Sequence, residues 1–162
     1  MKTTAVLFAS LIALTMACGG GSTTSGPGDA VTEMFAALKE GNGERVVSYM
    51  SRSALAGMEG QLESVQIDPE ASSAQMAALG IQIDAADIPD MTVKDFAIAV
   101  FSSQMMASVM QSGEVSIGEV TIEGDVAKVE VTTTFPDRAE THIIDVVMED
   151  GQWKVTEFGL NR

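Results

Sequence analysis

Basic side chains are scarce in this sequence. The 162 residues include 9 Lys and Arg against 23 Asp and Glu, a formal net charge of −14. Nucleic-acid binding needs clustered Lys and Arg to neutralise phosphates, so the composition argues against a nucleic-acid partner. The same charge disfavours direct adsorption to anionic lipid headgroups. The sequence therefore predicts an acidic, soluble surface that repels other anionic surfaces.

Cysteine and histidine each occur once, as Cys18 and His142. A single cysteine excludes an intramolecular disulfide, and one Cys with one His is too few for a zinc site. The phosphate-binding loop, the dinucleotide fingerprint and the Gly-x-Ser-x-Gly nucleophile motif are all missing. The stretch DAADIPD carries Asp84, Asp87 and Asp90 but lacks the alternating spacing and the glycine of a calcium loop. We predict no metal and no cofactor, and a solvated acidic loop at this position.

Only one long hydrophobic run is present, at residues 5–16. About 20 apolar residues are needed to span a bilayer as a helix, so this run is too short. It follows a short positive start, Met1 and Lys2, after two threonines, which is typical of the hydrophobic region of an export signal. A general signal peptidase could cut after Ala17 or further on and leave a soluble exported protein.

The alternative interpretation, which we favour, is lipid attachment at Cys18. The pentapeptide LTMAC resembles the lipobox of bacterial lipoproteins, with Ala17 directly before the cysteine and Leu14 nearby. It departs from that pattern at Thr15 and at the bulky Met16. The resemblance implies that residues 1–17 are a removed signal peptide and that Cys18 becomes the acylated first residue.

Residues 18–28 are then expected to form a flexible tether, because every residue from 19 to 28 is Gly, Ser, Thr or Pro. Such a segment spans roughly 18 Å root-mean-square. One acyl chain anchors a protein only marginally. Lipoproteins that resemble this one carry two or three chains, which implies permanent attachment to the membrane. Gly19 stands where Asp would favour inner-membrane retention, so in a Gram-negative cell we expect the outer membrane, facing the periplasm.

The first part of the remaining domain, residues 29–162, is predicted to be helical. Val31, Met34, Phe35 and Leu38 recur at the spacing of one helical face. Capping residues at Asp29, Asp68 and Thr92 and glycines beyond the helix ends set the limits of the helices. Helices are expected at about residues 29–39, 44–55, 69–79 and 92–112, and an irregular connector at residues 81–91.

After Gly113 the hydrophobic period changes from 3.6 to 2, which indicates strands. The dipeptide Asp150-Gly151 is the strongest short hairpin signal in the chain. Strands are predicted at residues 114–122, 126–135, 141–149 and 153–158. The predicted fold class is α+β, with N-terminal helices packed on a curved four-stranded antiparallel meander.

The segments FAALKEGNGERVVSYMS and GDVAKVEVTTTF…DVVMEDGQWKV carry a family resemblance. They resemble small bacterial lipoproteins of unknown function with a nuclear transport factor two-like (NTF2-like), cystatin-like domain. The positions that match its motifs are Phe35, Ala37, Leu38, Gly41, Asn42, Asp150, Gly151, Trp153, Lys154 and Val155. This resemblance implies a sheet that curls around the helices into a cone, often with an apolar cavity at the wide end. It also implies pairing into a homodimer through the open sheet face, and residues 57–91 match it less well.

Four side chains are candidates to line such a cavity: Tyr49, Met105, His142 and Trp153. His142 could act as a general base, because fold relatives such as polyketide-cyclase-like enzymes use His and Asp in the cone. The favoured interpretation is a histidine at a strand end that is satisfied by backbone groups or water. Asp145 lies three residues away on a strand and therefore points to the opposite face. Methionine is frequent, at 11 residues. Core packing is the favoured explanation, ahead of an adaptable apolar cavity or a thioether site for a soft metal.

These features predict a lipid-anchored envelope protein with a non-enzymatic binding or interaction module. Its expected partners are the membrane, through the anchor, and a small hydrophobic ligand or an envelope protein. The alternatives are a carrier of hydrophobic ligands and a polyketide-cyclase-like enzyme that uses the cone cavity.

Overall fold

The structure, a computed structural model, describes residues 25–157. The predicted signal peptide, Cys18 and most of the tether lie outside the described residues, as does the end of the last predicted strand at Phe158. Among residues 25–157 no helix has both the length and the apolar character needed to cross a bilayer.

Residues 114–155 form one antiparallel sheet of four strands: β1 Glu114–Glu123, β2 Val126–Thr134, β3 Ala139–Glu149 and β4 Gln152–Val155. The strand order β1-β2-β3-β4 confirms the predicted meander and the α+β class. Asp150 and Gly151 link β3 to β4 with positive φ values of 51° and 77°. Two consecutive positive φ values in a two-residue hairpin loop match the right-handed twist of the flanking strands.

The first helix, α1 at Pro27–Glu40, begins before the predicted cap. Pro27 occupies its first position, where the missing N–H costs nothing and the fixed φ suits a helix. Asp29 lies inside the first turn, and its carboxylate accepts a hydrogen bond from the Gly26 N–H at 2.9 Å. At the other end Gly41 adopts φ 66°, the left-handed conformation that ends helices.

The single helix predicted at residues 44–55 is wrong, because the chain forms α2 at Gly43–Ser48 and α3 at Arg52–Ala56. Between them Ser51 donates its backbone N–H to the Val155 carbonyl at 2.9 Å. The buried Ser51 hydroxyl then accepts from the Ala54 N–H and caps α3. Pairing with the edge of β4 therefore interrupts the helix.

The long helix predicted at residues 92–112 is also divided, into α6 at Val93–Phe101 and α7 at Gln104–Gln111. Thr92 caps α6 as predicted. Ser103, only 5% exposed, starts α7 by accepting a hydrogen bond from the Met106 N–H at 3.3 Å. A local capping group thus competes with continuation of the helix.

The middle of the chain is more helical than expected. The cap and stop residues correctly predicted α5 at Pro69–Ala78, where Asp68 accepts from the Ala71 N–H at 3.1 Å. Two further elements were not predicted, α4 at Glu59–Gln66 and a short 3-10 helix at Ile88–Asp90 within the predicted irregular connector. We call residues 57–91 the helical layer.

Two apolar clusters hold these elements together. The larger one joins α1, α2 and part of α6 to the helix-facing side of β2, β3 and β4. The smaller one lies within the helical layer and against α6, and Met58 packs against both clusters. Its buried members are Leu62, Met76, Ile81, Ile83, Ile88 and Phe96. The helical layer therefore has a core of its own.

Candidate functional site

The helix-facing side of the sheet changes from apolar to polar toward one end. Buried Val129 lies opposite buried Ile144, and buried Val131 lies opposite His142. Directly opposed residues on antiparallel strands share one face. His142 and Glu140 therefore lie on the inner face, with side chains 33% and 47% exposed. This end of the inner face is accessible to solvent, as are Val120 and Ile122 at the inner-face positions of β1, whereas the inner face of β2 and β3 from Val131 and Ile144 onward is covered by the core.

A carboxylate at this end contacts two basic side chains. Oε1 of Glu140 lies 3.0 Å from Nε of Arg138, and Oε2 lies 3.7 Å from Nε2 of His142. The Arg138 guanidinium carbon stands 4.8 Å from the centre of the Phe135 ring, in cation–π range. We call Phe135, Arg138, Glu140 and His142 the hairpin site. It combines a flat guanidinium with hydrogen-bond donors and a carboxylate acceptor.

Local chain geometry explains why these residues meet. The Phe135 N–H donates to the Arg138 carbonyl at 2.7 Å and closes the turn between β2 and β3. From there the two-residue period of a strand brings Arg138, Glu140 and His142 to one side. The Phe135 ring packs on Gly113, where an added Cβ would lie 2.9 Å from Cε1 of the ring. The hairpin site is thus built on the end of β2 and the start of β3 and is supported from β1.

The four side chains predicted to line a cavity do not all meet there. His142 belongs to the hairpin site. Trp153 lies on β4 opposite Met148, six residues along β3 from His142, which corresponds to about 20 Å of strand. Tyr49 ends α2 and packs against the larger core, and Met105 lies half-exposed on α7. Their role in binding a ligand stays a prediction.

The acidic partner of His142 is Glu140, which was not among the predicted site residues. Asp145 does point to the opposite face, where it pairs with Lys128 at 3.1 Å. Glu140 stands two residues before His142 and so shares its face, which strand alternation alone could have indicated. The 3.7 Å separation exceeds hydrogen-bond length, so the contact is one between charges when the imidazole is protonated.

The acidic loop that contains Asp84 forms a local turn. Asp84 accepts a hydrogen bond from the Ala86 N–H at 2.9 Å, which stabilises a local turn. Over residues 25–157 no group of three or more His, Cys, Asp or Glu side chains converges in a way that could hold a metal ion.

Comparison with known proteins identifies one matching family. Residues 58–157 match the family described as "Putative lumazine-binding", a span that covers the helical layer, α6, α7 and the whole sheet. This match and the observed helices-then-meander order confirm the NTF2-like resemblance at the level of fold. A crystal structure named "Putative NTF2-like transpeptidase", from Campylobacter jejuni, aligns with 81% of this chain and 97% of its own at 21% identity and a TM-score of 0.42. No curated protein matches the chain.

Proposed function

The chain belongs to the family described as "Putative lumazine-binding", and from this premise we propose that it binds a small planar N-heteroaromatic ligand at the hairpin site. The observation that carries the proposal is Glu140 held between Arg138 and His142 beside an aromatic ring. These groups lie at a solvent-accessible end of the inner sheet face.

The chemistry of the hairpin site suits such a ring. A lumazine presents ring N–H donors flanked by carbonyl oxygens. A carboxylate such as Glu140 accepts from the N–H groups, while Arg138 and His142 can donate to the carbonyls. Guanidinium groups also stack against flat π-systems, and the exposed side of Arg138 offers that surface.

Binding without conversion is favoured over catalysis by the surroundings of His142. Glu140 is its sole side-chain partner among the polar contacts that residues 25–157 show. A general base needs a positioned reacting group within hydrogen-bond reach, and a nucleophile paired with the imidazole is not found in this part of the chain.

The test is a fluorescence titration of the full-length protein with lumazine as the probe. Removing the charge with Glu140→Gln should weaken binding about 10- to 100-fold, since a hydrogen bond to a charged group contributes roughly 1.5–3 kcal/mol. Asp145→Asn is the matched control, because it removes a carboxylate from the outer face of the same strand. That variant should bind within about twofold of wild type.

Three results would count against this function. One is the absence of any change in lumazine fluorescence with the wild-type protein, and another is equal loss of binding by Asp145→Asn and Glu140→Gln. Chemical conversion of the probe, detected by mass spectrometry, would replace the binding module with the enzyme alternative.

We further propose that the domain works from a membrane anchor in the bacterial envelope. Support comes from the export signal, the lipobox-like LTMAC and the Gly/Ser-rich tether in the sequence.

A further inference from the structure

A second candidate site lies in the helical layer. An open cleft of about 810 Å³ separates the start of α5 from the connector that ends in the 3-10 helix. Its lining shares no residue with the hairpin site and consists of Ile67, Asp68, Pro69, Glu70, Asp84, Ala85, Ala86 and Pro89. We propose that this cleft docks a basic segment of another protein, with Ile67 as the apolar anchor.

Ile67 stands out among the apolar side chains of the helical layer. It is 84% exposed, whereas Leu62, Met76, Ile81, Ile83 and Ile88 are all buried. The small core is therefore closed without Ile67, which is not a loosely packed member of it. A partner that covers this large aliphatic side chain removes apolar surface from water, which favours binding.

The negative charge around Ile67 indicates that the partner is positively charged. Residues 53–93 contain no Lys, Arg or His. Within the structure described for residues 25–157, no ion pair involves a residue of this stretch. Its carboxylates are therefore not neutralised by the chain itself. They are Glu59, Glu63, Asp68, Glu70, Asp84, Asp87 and Asp90.

Three of these carboxylates line the cleft and keep acceptor capacity. Asp68 and Asp84 each use Oδ1 for a backbone N–H, at 3.1 and 2.9 Å, which holds the side chains in place. Their second oxygens and the Glu70 carboxylate remain for a ligand. Each ionised carboxylate accepts several hydrogen bonds, and Lys and Arg are the donors that complement it.

The form of the site favours a protein over a small molecule. Ligand pockets are concave and enclose most of the ligand, whereas this cleft is open and Ile67 protrudes into it. An apolar anchor surrounded by complementary charge is the usual composition of a protein docking surface. Anionic lipid and nucleic acid are both repelled by seven like charges.

The experiment measures binding of a synthetic peptide with alternating Lys and Leu to the full-length protein by fluorescence anisotropy. Ile67→Ser should weaken binding about fivefold or more, and the double variant Glu70→Lys/Asp84→Lys about tenfold or more. Glu114→Lys/Glu123→Lys changes the net charge equally at exposed positions of β1 and should alter binding less than about twofold. Binding should also weaken as salt is added.

Several outcomes overturn the proposal. They are no binding of the peptide at low salt, equal losses for the two charge-reversal variants, or full binding by Ile67→Ser. Spermidine that binds wild type and Ile67→Ser equally and displaces the peptide would indicate a small polyamine ligand instead. Chemical-shift mapping on the wild-type protein keeps the test decisive if a variant misfolds, because shifts must concentrate at residues 67–70 and 84–89.

Discussion

At the scale of single residues, the pair Thr92 and Asp95 links protonation to the stability of α6. The Thr92 hydroxyl donates to the Asp95 carboxylate at 2.5 Å, and the Thr92 backbone N–H donates to it at 3.3 Å. These hydrogen bonds, the first more than the second, lower the pKa of Asp95 below its ordinary value. Because the folded pKa is depressed, ionised Asp95 stabilises the fold above the unfolded pKa and loses that effect as the pH falls.

We predict that Asp95→Asn destabilises the protein by about 0.5–1 kcal/mol near pH 7, through the lost charge at the helix N-terminus. The difference from wild type should shrink as the pH falls from about 4 through the folded pKa, because Asp95 then becomes neutral as well. Urea unfolding of both proteins at a series of pH values measures the difference in their free energies of unfolding. A difference that persists unchanged at low pH would contradict the assigned cause.

At the scale of elements, the contact between α2 and α6 depends on a missing side chain. The Gly43 N–H donates to the Ser102 hydroxyl at 3.2 Å. A Cβ at Gly43 would lie 2.2 Å from the backbone carbonyl oxygen of Ile98, which cannot move without shifting α6. At Gly118 on β1 an added Cβ would instead meet the flexible end of Glu130 at 2.3 Å.

These two glycines give a matched pair of variants. Gly43→Ala should destabilise the protein by about 1–3 kcal/mol, because the helices must separate to admit a methyl group. Gly118→Ala should change the free energy of unfolding by less than about 0.5 kcal/mol, since the Glu130 carboxylate can rotate away. Chemical denaturation measures the free energy of unfolding of both variants. Equal losses of stability would show that α2 and α6 do not approach as closely as described.

At the scale of the whole molecule, charge and the proposed anchor act against each other. Removal of residues 1–17 would take only Lys2 among the charged residues and leave 8 basic and 23 acidic side chains, a net charge of −15. A protein with this net negative charge does not adsorb to anionic lipid through its surface alone. Attachment would therefore rest on the acyl chains, at about 0.8 kcal/mol for each buried methylene.

We predict that Cys18→Ser moves the protein from the membrane fraction to the soluble fraction. Its thermal unfolding midpoint should equal that of the detergent-solubilised wild type, because the domain packs its core from residues beyond the tether. Fractionation of the native cells, with immunodetection, measures the partition. Retention of the variant in membranes, or an intact leader on the wild-type protein in mass spectra, would refute lipid attachment.

Sequence alone determined the elements whose signals are local. The change from a period of 3.6 to 2 after Gly113 located the sheet. Asp68 with Pro69 and the Asp150-Gly151 dipeptide correctly predicted the start of α5 and the last hairpin. These features depend on the backbone preferences of one residue and its near neighbours, so no tertiary contact is needed to recognise them.

Tertiary structure alone decided that the chain breaks its helix at Ser51 and which side chains meet. The interruption at Ser51 depends on pairing with Val155, about a hundred residues away in sequence. The hairpin site needs the register of β2 against β3, and the cleft at Ile67 needs α5 folded against the 84–89 connector. Such long-range contacts override local propensity because burial of a shared core outweighs the few tenths of a kcal/mol by which local preferences differ.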